Sequence, residues 1–430
     1  MAGAADGTAA ADVDAWAMNM SEAPAIICRN ARILDVVAGQ VLPEHDVLVV
    51  NGRIKELSPS AIKHGSAQVL DARGRVLMPG LCDAHVHVVS ATNSFIELQG
   101  WSPFYAASRM MEVLRGMLFR GFTTVRDAGG ADWGIAAAIQ EGHVVGPRLL
   151  FCGKALSQTG GHGDMRGPGE NLEQCVCCPG LGRICDGVTE VRRAVRDEVR
   201  KGATHIKLMV SGGIASPTDR ITSTQFSLDE IRAAVEEAEA ASLYCMGHAY
   251  TARAIQRALE CGVRSIEHGN LLTEETADLF LQKDAFLVPT LVILFVMAKE
   301  GHKHGLLPHV VAKVPEVFEA GTRALDICRR KGVKIVFGSD LLGTMHDRQS
   351  EEFLIRAEIQ KPIDVIRGAT LLAAELFQMQ DEIGIVAEGA RADLLVVDDN
   401  PIEDLGLLQG QGRSLRVIMK DGKLFKNELA

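Results

Sequence analysis

The chain has 430 residues, of which 47% are apolar and only 5% aromatic, and it carries a formal net charge of −10 at neutral pH. That length holds one large α/β core with an accessory module, packed by Val, Ile, Leu and Ala rather than by aromatic rings. The acidic balance argues against a nucleic-acid or anionic-membrane surface, and no apolar run reaches membrane-spanning length.

The first 23 residues are rich in Ala, Gly and Asp and lack the basic start and apolar centre of a secretory signal, so a disordered tail and a cytoplasmic protein are expected. Short alternating segments follow at 25–30, 46–50, 53–57 and 68–71, and Asn51-Gly52 is a two-residue hairpin signal. The far end behaves alike, with strand patterns at 392–398 and 415–423. Two strand-rich ends around an alternating middle predict a small β-sandwich domain assembled from residues 24–78 and 383–430, with a separate unit over 79–382.

The middle opens with Pro79-Gly80, a turn, and then an apolar run ending in His85-Val86-His87. Side chains along a strand repeat with period two, so both imidazoles point the same way and are able to share a metal. Further strands are predicted at 123–127, 149–152, 205–209, 244–248, 265–268, 286–289 and 334–339, besides 80–85 itself. Helical patterns lie between several of them, such as 228–241, where Ser227 and Glu230 form a capping box. Eight strands separated by helices predict a (β/α)8 TIM barrel, whose chemistry sits at the C-terminal ends of its strands. Chemically able residues do stand there: His85 and His87 on the first strand, Lys207 on the fourth, His248 on the fifth, His268 on the sixth and Asp340 just after the eighth. Each has a structural explanation alone; the six in this order point to metal chemistry.

Ten cysteines are scattered through the chain, which favours free thiols. Cys175, Cys177, Cys178 and Cys185 cluster in sequence; an ordinary loop with a labile disulfide is favoured over a metal site. His302, His304, His309 and His346 read as solvated loop residues, and Arg126-Asp127 as an ion pair under the barrel mouth.

The series Pro-Gly-x-x-Asp-x-His-x-His, the strand-four lysine, single histidines on strands five and six and Gly338-Ser339-Asp340 resembles the amidohydrolase superfamily over nearly the whole chain from about Ile26. More narrowly, the stretches at 120–129 and 155–164, Ser211-Gly212-Gly213 and His248-Ala249-Tyr250-Thr251 resemble the branch of prolidase-like dipeptidases, carboxypeptidase-like enzymes and ochratoxin-hydrolysing amidases. The resemblance implies two divalent ions, zinc first by ligand chemistry, with His85, His87 and Asp340 on one, His248 and His268 on the other, and a carboxylated Lys207 bridging them. It further implies a metal-bridging hydroxide attacking an amide carbonyl, with Asp340 shuttling the proton to the leaving nitrogen.

By the same resemblance His162 and Tyr250 border the mouth and stabilise the oxyanion or hold the substrate carboxylate. Ser211, Gly212 and Gly213 either present backbone N–H groups to that anion or form a flexible turn. The expected function is cleavage of the amide to a C-terminal amino acid, with Xaa-Pro dipeptides leading and N-acyl amino acids also accepted. Alternatives are Arg, Lys or Phe as the leaving residue, including ochratoxin-like conjugates, or a cyclic imidazolone. A mononuclear deaminase fits less well, because Lys207 is present and no acidic residue directly follows His248; a non-catalytic scaffold would have lost ligands. The expected partners are small molecules or dipeptides, with no nucleic acid or membrane, and further copies of the chain in a homo-oligomer.

Overall fold

The computed structural model describes residues 25–172, 175–303, 311 and 314–429. The expected N-terminal tail, His304 and His309 lie outside the described residues.

The chain begins with five strands of a terminal sheet: β1 (Ile26–Asp35), β2 (Gln40–Val50), β3 (Arg53–Ser58), β4 (Gln68–Asp71) and β5 (Val76–Pro79). Its last three strands are β16 (Leu394–Val397), β17 (Leu415–Lys420) and β18 (Lys423–Asn427). All eight join in one mixed sheet in the order β18-β17-β16-β5-β1-β2-β3, with β4 paired to β1. The expected sandwich is thus a single sheet that curls over its own core, where Ile26, Val47 and Ile54 meet Val396, Val417 and Met419. Two hairpin turns close the curl. Asn51-Gly52 (φ 50° and 75°) and Asp421-Gly422 (φ 48° and 74°) both adopt the left-handed pair that a two-residue hairpin requires. They pack so tightly that a Cβ on Gly52 would lie 2.8 Å from the Asp421 carbonyl oxygen.

Between these halves lie ten strands: β6 (Leu81–Val86), β7 (Phe122–Asp127), β8 (Arg148–Phe151), β9 (Ala155–Ser157), β10 (Gly182–Ile184), β11 (Ile206–Met209), β12 (Cys245–Thr251), β13 (Ser265–Leu271), β14 (Phe286–Val288) and β15 (Lys334–Ile335). Their ladders are parallel and form two runs, β6-β7-β8 and β10-β9-β11-β12-β13-β14-β15. The third stave, expected as one strand, is broken in two: β8 pairs with β7, and β9 with β11. The break falls at Gly153 (φ 70°), where a Cβ would lie 2.1 Å from Glu198 Oε2. The eighth stave also differs, since its regular ladder stops at Ile335. Beyond that point Phe337 O accepts from Ala84 N (2.8 Å) and His85 O accepts from Asp340 N (2.8 Å), which closes the ring onto β6.

Helices pack outside the ring. Leu228–Ala240 starts at the expected capping box, with the Ser227 side chain accepting from Glu230 N and the Glu230 side chain accepting from the Ser227 backbone. Ile231, Ala234, Val235 and Ala238, at helical spacing, face the barrel core. Among the described residues no helix is long and apolar enough to cross a membrane.

Candidate metal centre and substrate cavity

The strand ends converge as the barrel rule requires. His85 Nε2 and His87 Nε2 lie 3.3 and 3.2 Å from the same oxygen, Asp340 Oδ1, so the two imidazoles do share one side of β6. The His268 ring sits 5.1 Å from that of His85, and His248 4.6 Å from His268, centroid to centroid. Lys207 is buried and lines the same cavity. Ligand atoms of His85, His268 and Asp340 all lie within 4.8 Å of one another. His268 (φ 72°), Thr290 (φ 47°) and Asp340 (φ 56°) are all held in the left-handed region, so backbone strain gathers at this mouth.

Each imidazole is oriented from behind, and the acceptor decides which nitrogen carries hydrogen. Glu267 Oε2, 2.7 Å from His85 Nδ1, only accepts, so His85 is protonated at Nδ1 and turns the Nε2 lone pair inward. Gly129 O does the same for His87 Nδ1 at 3.2 Å, and Gly212 O takes the Nε2 hydrogen of His248 at 3.2 Å. His268 Nδ1 is 2.7 Å from the Thr290 hydroxyl. The inward lone pairs of His85 and His87 therefore face an anionic carboxylate oxygen, an arrangement stable only with positive charge between them. Either a proton on the ring, which the raised His85 pKa favours, or a divalent ion supplies it. Nitrogen and oxygen ligands about 2.0 Å from a tetrahedral ion stand about 3.3 Å apart, which is the spacing found here. The donor set fits a bound divalent cation.

The electrostatics agree. Burial holds His248 and His268 well below the ordinary imidazole range, so both are neutral, the form in which imidazole can bind a metal. Burial and the Lys207 charge press the His85 pKa down, but Asp340 and Glu267 outweigh them and raise it. Asp340 is held well below the usual carboxylate range, because His85, His87 and His268 overcome the cost of its burial. Burial pushes Lys207 down despite the attraction of Glu267 and Asp340, which makes its uncharged amine more accessible.

Three residues to which the sequence assigned no role hold this centre in place; Asp83 is the aspartate of the Pro-Gly-x-x-Asp-x-His-x-His series. Glu267, fully buried, receives Arg126 Nη2 (2.9 Å) and Ser265 Oγ (2.7 Å) on one oxygen and His85 on the other. Asp83 binds the backbone N–H groups of His85 and Ser339 at 3.0 and 3.1 Å, tying the first stave to the eighth. Asp219 accepts from His162, whose Nδ1 lies 3.3 Å from Asp219 Oδ2. A charge inside an apolar strand was the available signal for Glu267; Asp219 sits in an irregular loop and gave none.

Several expectations need correction. Arg126 does not pair with Asp127: adjacent strand residues face opposite ways, so Arg126 reaches Glu267 and Ala84 O, while Asp127 accepts from Val88, Gly129 and Ala131 N–H groups. His346 is buried rather than solvated, with Nε2 3.0 Å from Ser90 O; His302 is exposed as expected. Ser211, Gly212 and Gly213 line no part of the cavity, and their N–H groups are taken by His248 O, Ser223 O and Asp219 Oδ2. They form a turn whose Gly212 carbonyl orients His248, not an anion nest. All ten cysteines are free thiols, and Cys185 is buried in the barrel core.

His162 and Tyr250 do border the mouth. The His162 ring stacks on His248 at 4.2 Å, and Tyr250 lies parallel to His268 at 5.2 Å. Both line a cavity of about 380 Å³ whose remaining wall is mostly apolar, including Met165, Ile214, Ile293, Leu294 and Met297, with Asn93 and Ser94 as polar exceptions. Asp340 is the one acidic residue on that wall among the described residues.

A parallel barrel with a curled terminal sheet, and imidazoles and a carboxylate gathered at its C-terminal mouth, defines a metal-dependent hydrolase site. The amidohydrolase family profile matches residues 76–425, and the chain belongs to that family of hydrolases acting on carbon–nitrogen bonds. An ochratoxinase of Aspergillus niger is 31% identical over 436 residues, covering 95% of this chain and 90% of its own. A prolidase crystallised with N-methylphosphonate-L-proline superposes with a TM-score of 0.92 at 48% identity, covering 94% of this chain and all of its own. An Xaa-Pro dipeptidase with methionine bound in its active site follows the same fold, with a TM-score of 0.83, 28% identity, and coverage of 94% and 100%.

Proposed function

We propose that the protein is a binuclear metal-dependent amidohydrolase that releases a C-terminal amino acid from an amide, with Xaa-Pro dipeptides and N-acyl-prolines as leading substrates. The observation that carries this reading is the pair of inward histidine lone pairs set against Asp340 Oδ1 at 3.3 and 3.2 Å, beside a buried Lys207. His85, His87 and Asp340 would hold one ion, His248 and His268 the other, and a carboxylated Lys207 both. Zinc suits imidazole and carboxylate donors best. Bound there, the ions supply Lewis acidity and lower the pKa of water.

The chain's own groups do the rest. Asp340, anionic at every working pH, accepts the attacking water's proton and returns it to the amide nitrogen, without which that nitrogen is a poor leaving group. His162 is fixed at Nδ1 by Asp219 and the Ser216 hydroxyl (2.8 Å), which leaves Nε2 to meet the developing oxyanion or the substrate carboxylate. Tyr250 offers its hydroxyl at the same mouth; burial raises its pKa, so it stays a donor. The apolar wall takes the acyl or aminoacyl side chain and excludes water from the reacting carbonyl.

Support for proline comes from the relative crystallised with a proline phosphonate. The ochratoxinase likeness keeps an aromatic leaving residue as the second reading. Arginine and lysine fit poorly, since Asp340 is already committed and no other acid lines the cavity among the described residues. A screen of Xaa-Pro, Xaa-Phe, Xaa-Arg and N-acyl amino acids with metal-loaded protein tests the assignment. Hydrophobic Xaa-Pro should turn over fastest; cleavage of Xaa-Arg alone, or of none, refutes it.

A further inference from the structure

Outside the barrel mouth, the described residues bring one other set of metal-ligand atoms together. The Sγ atoms of Cys175, Cys177 and Cys178 all lie within 4.8 Å of one another. Free cysteine is among the most buried residue types, and the seven remaining cysteines obey that rule. These three do not: Cys175 and Cys177 are exposed and Cys178 is half-buried, side by side in water. Such a departure has no packing explanation.

The turn that gathers them is built and anchored. Cys178 N donates to Cys175 O (3.1 Å), which folds Cys175-Val176-Cys177-Cys178 back on itself. Lys154, reaching over from between β8 and β9, donates from Nζ to Cys178 O (2.8 Å) and Gly180 O (2.6 Å) and clamps the turn to the barrel.

We propose that Cys175, Cys177 and Cys178 form a second metal site, separate from the barrel centre, for a thiophilic d10 cation of the Zn²⁺ and Cd²⁺ class. Three thiolates about 2.3 Å from one ion stand about 3.8 Å apart, so each pair closes by at most about 1 Å, within the reach of a χ1 rotation. Sulfur ligands select this class over hard cations such as Mg²⁺. Binding replaces the thiol hydrogens: each Cys–SH that ligates loses its proton to solvent as its S–M bond forms, and the fourth position stays open to water or an outside donor. The site lies in the segment between β9 and β10, which also carries Met165 and Leu181, both on the cavity wall. A loaded ion stiffens the rim of the substrate cavity without entering it. The inference does not depend on the substrate assigned above.

The test is a Cd²⁺ titration of the reduced, full-length protein carrying two zinc ions per chain, the complement of the barrel centre alone, followed by near-ultraviolet thiolate-to-metal charge-transfer absorption. Wild type should saturate at one equivalent, and three reagent-accessible thiols should become protected together. The triple change Cys175→Ser, Cys177→Ser and Cys178→Ser should abolish the band while leaving basal hydrolysis intact; Cys185→Ser should keep it. Should the triple variant fail to fold, Cys177→Ser alone decides, with an expected loss of at least tenfold in Cd²⁺ affinity. No band in wild type, a band that survives in the triple variant, unchanged affinity in Cys177→Ser, or a Cys175–Cys178 disulfide that persists in reductant each overturns the proposal.

Discussion

Glu267→Gln is the sharpest test of how the centre is held, because it keeps the shape of the side chain and changes only which atoms donate. In the native chain one carboxylate oxygen takes Arg126 and Ser265, and the other takes His85 Nδ1. Glutamine has a single acceptor oxygen, and Arg126, fully buried, has the strongest claim on it. The amide NH₂ then faces His85 Nδ1, which has to accept. The ring hydrogen moves to Nε2, and the lone pair aimed at Asp340 is lost. Losing such an orienting partner typically costs 10–100-fold in metal affinity. Removing the anion also leaves the Arg126 charge uncompensated, at a cost of about 3–5 kcal/mol for a broken buried pair; its remaining bonds to Ala84 O and Ser265 Oγ favour the lower end. Dialysis against buffered zinc with metal analysis should show the weakened site, and urea unfolding an earlier midpoint. Wild-type affinity together with an unchanged midpoint would refute the tautomer argument.

Asp340→Asn should keep the fold, since asparagine tolerates φ 56°, yet lower kcat by about 10²–10⁴-fold with the proton carrier gone; turnover of Xaa-Pro and a circular dichroism melt separate the two effects. Asp219→Asn should free His162 to turn, raising KM by about tenfold for a substrate bearing a C-terminal carboxylate and much less for its amide. His346 is buried neutral, its pKa pushed by burial to about 3, against about 6.5 unfolded. Below pH 6.5 the unfolded chain therefore binds a proton that the native one does not, and stability falls by about 1.4 kcal/mol per pH unit from this group as acid is added. His346→Gln should make the decline of urea midpoints between pH 7 and 5 shallower, and an unaltered slope counts against the assignment. If Lys207 is carboxylated, reconstitution of the metal-stripped protein should be faster with bicarbonate than in degassed buffer, and Lys207→Ala should bind less than two ions.

The features that could be read from sequence are those governed by local periodicity. His85 and His87 share a direction because strand side chains alternate, and Asn51-Gly52 turns a hairpin because both residues tolerate positive φ. The barrel could be read because its strands recur between helical patterns. What escaped depends on contacts made far along the chain. Glu267 acquires its meaning from His85, 182 positions away, and the break at Gly153 from the approach of Glu198. Asp127 and Arg126 mislead for the opposite reason: nearness in sequence suggested a pair that strand alternation forbids. Likewise His346 looked solvated in an irregular stretch, and only the folding of that stretch beneath Ser90 buries it.

Under the binuclear function proposed above, the arrangement of buried charge gives a lysine its place among the ligands. Arg126 and Glu267 neutralise one another beneath the mouth, and Lys207 and Asp340 stand as a second opposed couple above them, the first three buried and Asp340 partly exposed to the cavity. With neutral histidines as the other donors, that set carries too little negative charge to accept two divalent ions. Reaction of the Lys207 amine with carbon dioxide, its protons passing to solvent, would put a carbamate anion where the ammonium cation stood, a larger adjustment than any other side chain lining the cavity can make. The depressed pKa of Lys207 supplies the uncharged amine that this reaction consumes. On that proposal burial, which is costly for an ammonium in an apolar strand, is the condition that lets Lys207 serve both ions.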